Sequence, residues 1–252
     1  MSHSLAAHSL ADRCALVTGA SSGIGREVAR RLASLGARVV ACARRYDRLA
    51  ELAAESEGSI HPARCDLRDL SEIEALFSEV RAEHGGVDIL VNNAGFGHKQ
   101  PLMSGEPAVW RDMLAVNVLA LSACTRHAVV DMQARGVAGH ILHISSLSAH
   151  RVPGGSGMYS ATKFAVRSVT EGLRQELRDA GSPIRVTSIS PGFVETEFAE
   201  NYHGDPDAAA ATYRRYPVLQ PRDIADAVEF TVTAPAHVEY HDLLVRPTQQ
   251  SS

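Results

Sequence analysis

Seven short runs rich in β-formers, at Ala15–Thr18, Arg38–Ala43, His61–Asp66, Asp88–Asn92, His140–Ser145, Arg185–Ser190 and Asp242–Val245, alternate with longer stretches of helical pattern. Parallel neighbours need long crossover connections, which helices fill, so the alternation predicts a parallel sheet. Ile89-Leu90-Val91 and Ile141-Leu142 are apolar at consecutive positions, as expected of strands covered by helices on both faces. The expected fold class is α/β, a doubly wound parallel sheet of seven strands. At 252 residues, with no Pro/Ser-rich linker, one domain from residue 13 to 252 suffices, preceded by an N-terminal extension over residues 1–12.

Ligands of such sheets bind outside the carboxyl ends of the strands, so strand ends are where function is sought. The first strand runs into Thr18-Gly-Ala-Ser-Ser-Gly-Ile-Gly25 and then into a helix predicted over Arg26–Leu35. Glycine there lets the backbone turn tightly and approach a ligand, while the helix N-terminus attracts phosphate. Gly19, Ser21, Ser22, Gly23, Ile24 and Gly25 are therefore candidate contacts of a dinucleotide, in a G-x-x-x-G-x-G spacing. The second strand ends in Ala41-Cys-Ala-Arg-Arg45, without the carboxylate that would accept from ribose hydroxyls and repel a 2′-phosphate. Arg44 offers a planar cationic fork and Arg45 adds charge, so NADP(H) is the expected cofactor. The same arginines also suit the start of a solvated helix over Tyr46–Ser56, a reading that leaves the missing acid unexplained.

Tyr159 and Lys163 lie one helical turn apart and share a face. A fixed positive charge favours the phenolate, and lowering a phenol of pKa ~10 by about three units takes roughly 4 kcal/mol. The same spacing also makes an ordinary amphipathic surface, so the remaining motifs decide.

Composition narrows the partners. A net charge of -4 with scattered arginines gives no basic surface for nucleic acid or anionic lipid, so partners of that kind are not expected. Apolar runs of strand length, and a segment Met1–Arg13 with neither cationic start nor apolar block, lead to the expectation of no membrane span and no signal peptide. Cys14, Cys42, Cys65 and Cys124 read as buried reduced thiols of a cytoplasmic protein. His140 and His143, three apart in a strand, point to opposite faces, and no metal site is expected.

Thr18–Gly25, N-N-A-G at Asn92–Gly95, Asn117, Ser146, Y-x-x-x-K at Tyr159–Lys163 and P-G at Pro191–Gly192 follow the order of motifs in the short-chain dehydrogenase/reductase family, which the chain resembles over most of its length. The resemblance implies a Rossmann-type domain, commonly a homotetramer or homodimer, that moves a hydride between a nicotinamide and a carbonyl or alcohol. It makes Tyr159 the acid/base. Lys163 would lower the phenol pKa and hold the nicotinamide ribose, and Ser146 would hydrogen-bond the substrate oxygen, with Ser145 its rival. Asn117 would bind a water linking Lys163 to solvent. Asp66 and Leu67 would meet the adenine, while Asn93, Ala94 and Gly95 would line the adenosine, although asparagine there also simply forms turns. Pro191, Gly192, Val194 and Thr196 would line the carboxamide and pyrophosphate side, with Glu195 and Glu197 solvated.

Substrate choice is expected in Leu147–Met158 and in a mobile cover over about 193–217. Within the first, Arg151 reads either as solvent-facing or as a partner for a substrate carboxylate. The stretch from Asp223 to Thr248 resembles an NADP-preferring branch that includes 3-hydroxy-acid dehydrogenases and aldehyde or ketone reductases. The rival from another class is a nucleotide-sensing regulator of the same fold. Such proteins often lose the tyrosine or lysine, and this chain keeps both.

Overall fold

A computed structural model describes residues 10–251; most of the predicted extension, and of the segment read for a signal peptide, lies outside the described residues. Seven strands, β1 (Cys14–Thr18), β2 (Arg38–Ala43), β3 (Ile60–Arg64), β4 (Ile89–Asn92), β5 (His140–Ile144), β6 (Arg185–Pro191) and β7 (Asp242–Val245), form one sheet in the order β3-β2-β1-β4-β5-β6-β7. Every pairing is parallel. The order reverses between β1 and β4, the switch point at which doubly wound sheets open a crevice.

Helices α1 (Gly23–Ser34), α2 (Tyr46–Ala54) and α9 (Pro221–Val232) bury Val28, Leu32, Leu49, Ile224 and Val228 against one face of the sheet. Helices α3 (Leu70–His84), α5 (Leu121–Arg135) and α6 (Gly157–Asp179) bury Leu76, Phe77, Cys124, Met132 and Leu177 against the other. The two-sided burial explains the consecutive apolar residues of β4 and β5. All four cysteines are free and buried.

Strands β2 and β7 have the expected boundaries, and the other predicted elements depart from theirs by at most three residues. The first helix starts at Gly23, inside the glycine-rich turn, because Ser22 already has extended backbone (φ -162) and the chain turns helical directly after it.

Helix α4 (Pro107–Leu114), a π turn over Ala115–Ala120 and α5 run on as a single helix, Pro107–Arg135; its length and composition alone would let it cross a membrane, a test that the packed core helix of a sheet protein also passes. Its apolar residues are spread around polar ones, so no single run revealed it. Met113, Ala120, Cys124, Ala128 and Met132 form its buried side.

His140 and His143 leave β5 on opposite faces. His140 meets Thr187 of β6 through Nε2 at 2.9 Å, and His143 sits between Thr125 of α5 and Thr170 of α6, at 3.1 and 2.8 Å. Burial pushes both imidazoles down to about 3, helped by Arg185 at His140 and by Arg174 and Lys163 at His143.

Candidate active site

The turn after β1 is shaped by close approach. Gly19 has φ +68, and a Cβ there would lie 2.8 Å from the Cα of Ala94; a Cβ on Gly25 would lie 2.5 Å from the carbonyl oxygen of Gly19 and 2.4 Å from Nδ2 of Asn93. The segment after β4 is clamped to this turn. Thr18 Oγ1 accepts from the N–H groups of Asn93 and Ala94, both at 3.0 Å, and Asn93 Nδ2 donates to the Thr18 carbonyl at 2.9 Å. Asn93 is thus more than a turn former, since it locks two strand ends together. Ser22, the N-cap of α1, makes no side-chain cap bond; its hydroxyl accepts from Arg45 Nη2 at 2.7 Å. The first-turn N–H groups of α1 therefore have no side-chain cap, as an anion site at a helix N-terminus requires.

From this turn a cavity of about 860 Å³ extends across the carboxyl ends of the strands. Gly19, Ser21, Ser22, Gly23 and Ile24 line it with Arg44, Arg45, Asp66 and Leu67 at one end. Asn93, Ala94 and Gly95 line its middle; Ser146, Tyr159, Lys163, Pro191, Gly192, Val194 and Thr196 line the other end. Two expected site residues stand behind the wall. Gly25 serves the packing of the turn, and Asn117, 1 % exposed, spends both amide hydrogens on the Phe96 carbonyl (2.8 Å) and Thr162 Oγ1 (3.0 Å). Its Oδ1 accepts from the N–H of Phe96 at 3.0 Å, which leaves one lone pair for a water.

Helix α6 brings Tyr159 to the cavity, where its ring packs against Phe198 and Tyr202 at centroid distances of 5.5 and 5.7 Å. Both aromatics belong to α7 (Phe198–His203), the first of two short helices that, with α8 (Pro206–Tyr213), form the expected cover. Lys163 Nζ lies 5.9 Å from the phenol ring centroid and donates to the Ile144 carbonyl at 3.0 Å. Ser146, two residues beyond the end of β5, lies near enough to the phenol to lower its pKa, and its Oγ accepts from the N–H of Ser148 at 3.0 Å. Its rival Ser145 also lines the cavity, but its Oγ is buried with no partner among the described residues.

The electrostatics reverse one expectation. Burial pushes the Tyr159 phenol above its ordinary value; the Ser146 hydroxyl opposes this and the neighbouring Tyr202 adds to it. Burial also lowers the Lys163 ammonium to about 8. Desolvation penalises the charged form of both groups and is the largest cause of both shifts, opposite in direction to the effect that the four-residue spacing suggested.

Other expectations change with packing. Glu197 is not merely solvated, since it pairs with Arg45 at 2.9 Å and with Arg48 at 2.5 Å. Glu195 accepts from Gln220 Nε2 at 2.8 Å. Arg151 is half-buried and lines the cavity, with its Nε buried and unpartnered among the described residues while Nη1 donates to the exposed Ser251 carbonyl at 3.3 Å. His150 turns the other way, to Ser190 and Asp242. Asp66 reaches the cavity but is held by Arg68, which keeps its carboxyl at about 2 against the cost of partial burial.

Sequence reasoning did not single out Phe96, Gly97, Lys99, Phe198, Tyr202 or Gln250. A Cβ on Gly97 would meet Tyr159 Cδ2 at 2.6 Å, so this glycine makes room for the phenol ring. Phe198 and Tyr202, four apart on a helix, carried a readable signal. Gln250, whose Oε1 accepts from the N–H of Phe193 at 3.0 Å, carried none.

The parallel sheet with its switch point, the glycine turn and the cavity define a dinucleotide-binding protein of Rossmann type. A profile described as short chain dehydrogenase matches residues 13–207. The human protein "Dehydrogenase/reductase SDR family member 11" is 51 % identical over 248 residues, 95 % of each chain. The structure titled "The Closed form of serine dehydrogenase complexed with NADP+" superposes with a TM-score of 0.90 at 36 % identity, covering 95 % of this chain and 96 % of that one. A 3-ketoacyl-(acyl-carrier-protein) reductase from Brucella melitensis complexed with NADH superposes with a TM-score of 0.85 at 31 % identity, covering 96 and 99 %. The chain belongs to the short-chain dehydrogenase/reductase family of oxidoreductases, which use nicotinamide cofactors.

Proposed function

We propose that the protein is an NADP(H)-dependent oxidoreductase of a carbonyl/alcohol pair, with Tyr159 as acid/base. The observation that carries this reading is the junction of two constellations in one cavity: Arg44 and Arg45 beside the glycine turn, and Tyr159 with Ser146 and Lys163 beyond it. The uncapped first turn of α1 and the hydroxyls of Ser21 and Ser22 suit phosphate, so the wall fits a dinucleotide. When bound, the nicotinamide supplies or takes the hydride. Tyr159 holds its proton at neutral pH because burial disfavours the phenolate, which makes it a donor to a carbonyl oxygen and favours reduction. Ser146 donates to the oxygen on which charge develops. Lys163 stabilises the phenolate left after transfer, and Asn117 positions the Phe96 loop against α6. Helical surfaces carrying exposed Leu119, Val130 and Phe164 suit association into a homodimer or homotetramer, in the cytoplasm.

The reading is tested by following NADPH absorbance against aldehydes, ketones, keto acids and ketosteroids. At least one carbonyl class is expected to be reduced; a protein that binds NADPH and reduces none is instead the nucleotide-sensing regulator. The cofactor preference rests on Arg44 and Arg45. Arg44→Ala is expected to weaken NADPH binding by about tenfold to a hundredfold, the value of a charged hydrogen bond, and to spare NADH. A wild-type preference for NADH in the same titration overturns it.

A further inference from the structure

The end of the cavity that would receive a 2′-phosphate contains a carboxylate of the chain itself. Arg45 folds back over the glycine turn, donating to Ser21 Oγ from Nε (3.1 Å) and Nη2 (3.0 Å), and to Ser22 Oγ at 2.7 Å. Its remaining terminal nitrogen, Nη1, donates to Glu197 Oε2 at 2.9 Å. The other oxygen, Oε1, accepts from Arg48 Nη1 at 2.5 Å. Partial burial raises the Glu197 carboxyl, but the two guanidinium groups outweigh it and hold it down to about 2, so it is ionised throughout the physiological range. Carboxylate and phosphate offer a guanidinium the same kind of oxygen acceptor, and compete for it.

Glu197 also directly precedes α7 and is its N-cap residue. The next residue, Phe198, packs on Tyr159. The Arg45–Glu197 pair therefore ties the adenosine end of the cavity to the base of the cover over the reacting end. We propose that Glu197 is an internal occupant of the 2′-phosphate subsite, displaced from Arg45 by the 2′-phosphate of an arriving dinucleotide, so that recognition of that phosphate loosens the anchoring of α7. The inference rests on the NADP(H) reading above.

The test uses 2′,5′-ADP and 5′-AMP, which differ only in the 2′-phosphate and carry no nicotinamide to engage the cover directly. Calorimetric titration of the full chain is expected to show Glu197→Gln binding 2′,5′-ADP about threefold to tenfold more tightly than wild type, since the lost contacts are half-exposed ion pairs, with 5′-AMP unchanged. In wild type, 2′,5′-ADP raises amide hydrogen exchange over residues 198–203 and 5′-AMP does not; in Glu197→Gln that exchange is already raised without ligand. Glu197→Asp, too short to reach both arginines, shifts both readouts the same way and carries the test if the Gln variant does not fold. Unchanged or weaker 2′,5′-ADP binding in the folded variants, or α7 exchange that ignores 2′,5′-ADP, overturns the latch alone. Equal wild-type affinity for the two nucleotides overturns the NADP(H) reading and the latch with it.

Discussion

Tyr159→Phe is expected to lower carbonyl reduction by about a hundredfold to ten-thousandfold, the range of a positioned general acid, while dinucleotide affinity stays close to wild type. The substitution keeps the ring packed on Phe198 and Tyr202 and beside Lys163, and deletes only the hydroxyl. Packing and binding should therefore persist while proton delivery is lost. Steady-state turnover of NADPH, set beside fluorescence titration of the same nucleotide, separates the two. Normal turnover in the variant would refute the assignment of Tyr159. Because burial keeps the phenol protonated, alcohol oxidation by wild type should rise steadily with pH through the neutral range, since it needs the phenolate. Reduction should hold level and then decline as Lys163 loses its proton above about 8.

Acid is expected to unfold the protein through His140 and His143. The bonds around His143 define its neutral form. Thr170 Oγ1 donates to the Val166 carbonyl at 2.6 Å and so must accept from Nδ1–H. Thr125 Oγ1 accepts from Asn92 Nδ2 at 2.9 Å and has its own hydrogen for Nε2. A proton on Nε2 would confront that hydrogen in a fully buried site. With folded values near 3 and an unfolded value of about 6.5, the unfolded chain binds more protons across that window, so stability falls as pH falls through it. Each imidazole contributes at most about 1.4 kcal/mol per pH unit, so across the window the pair removes up to roughly 9 kcal/mol, comparable with a domain stability of about 5–15 kcal/mol. Circular dichroism against pH should place the transition between roughly pH 3 and 6. His143→Gln, which cannot titrate, should move it lower. A transition unmoved by that variant would remove His143 as its cause.

The architecture was legible because its signals are local. Strand-length apolar runs, crossover helices and a glycine turn follow from side-chain period and backbone sterics, which act over a few residues. Likewise Tyr159, Lys163, Ser146 and Arg44 could be named, because each motif sits at a strand end or on one helix turn. Other parts of the site come from residues far apart in the chain. Glu197 meets Arg45 across 152 positions and Gln250 reaches Phe193 across 57, and neither residue type shows a partner in its own neighbourhood. The long helix Pro107–Arg135 escaped notice for a related reason, since interspersed polar residues hide an apolar side that only winding assembles.

The order of residues alone thus determined a doubly wound nucleotide fold and the identities of the groups at its strand ends, since spacing and propensity are properties of short segments. Tertiary structure alone decided the protonation of those groups and their neighbours. Burial, which sums over every element packed around a side chain, raised the phenol that the local Tyr–Lys spacing suggested would be lowered, and brought the carboxylate of Glu197, expected in water, to the guanidinium groups of Arg45 and Arg48.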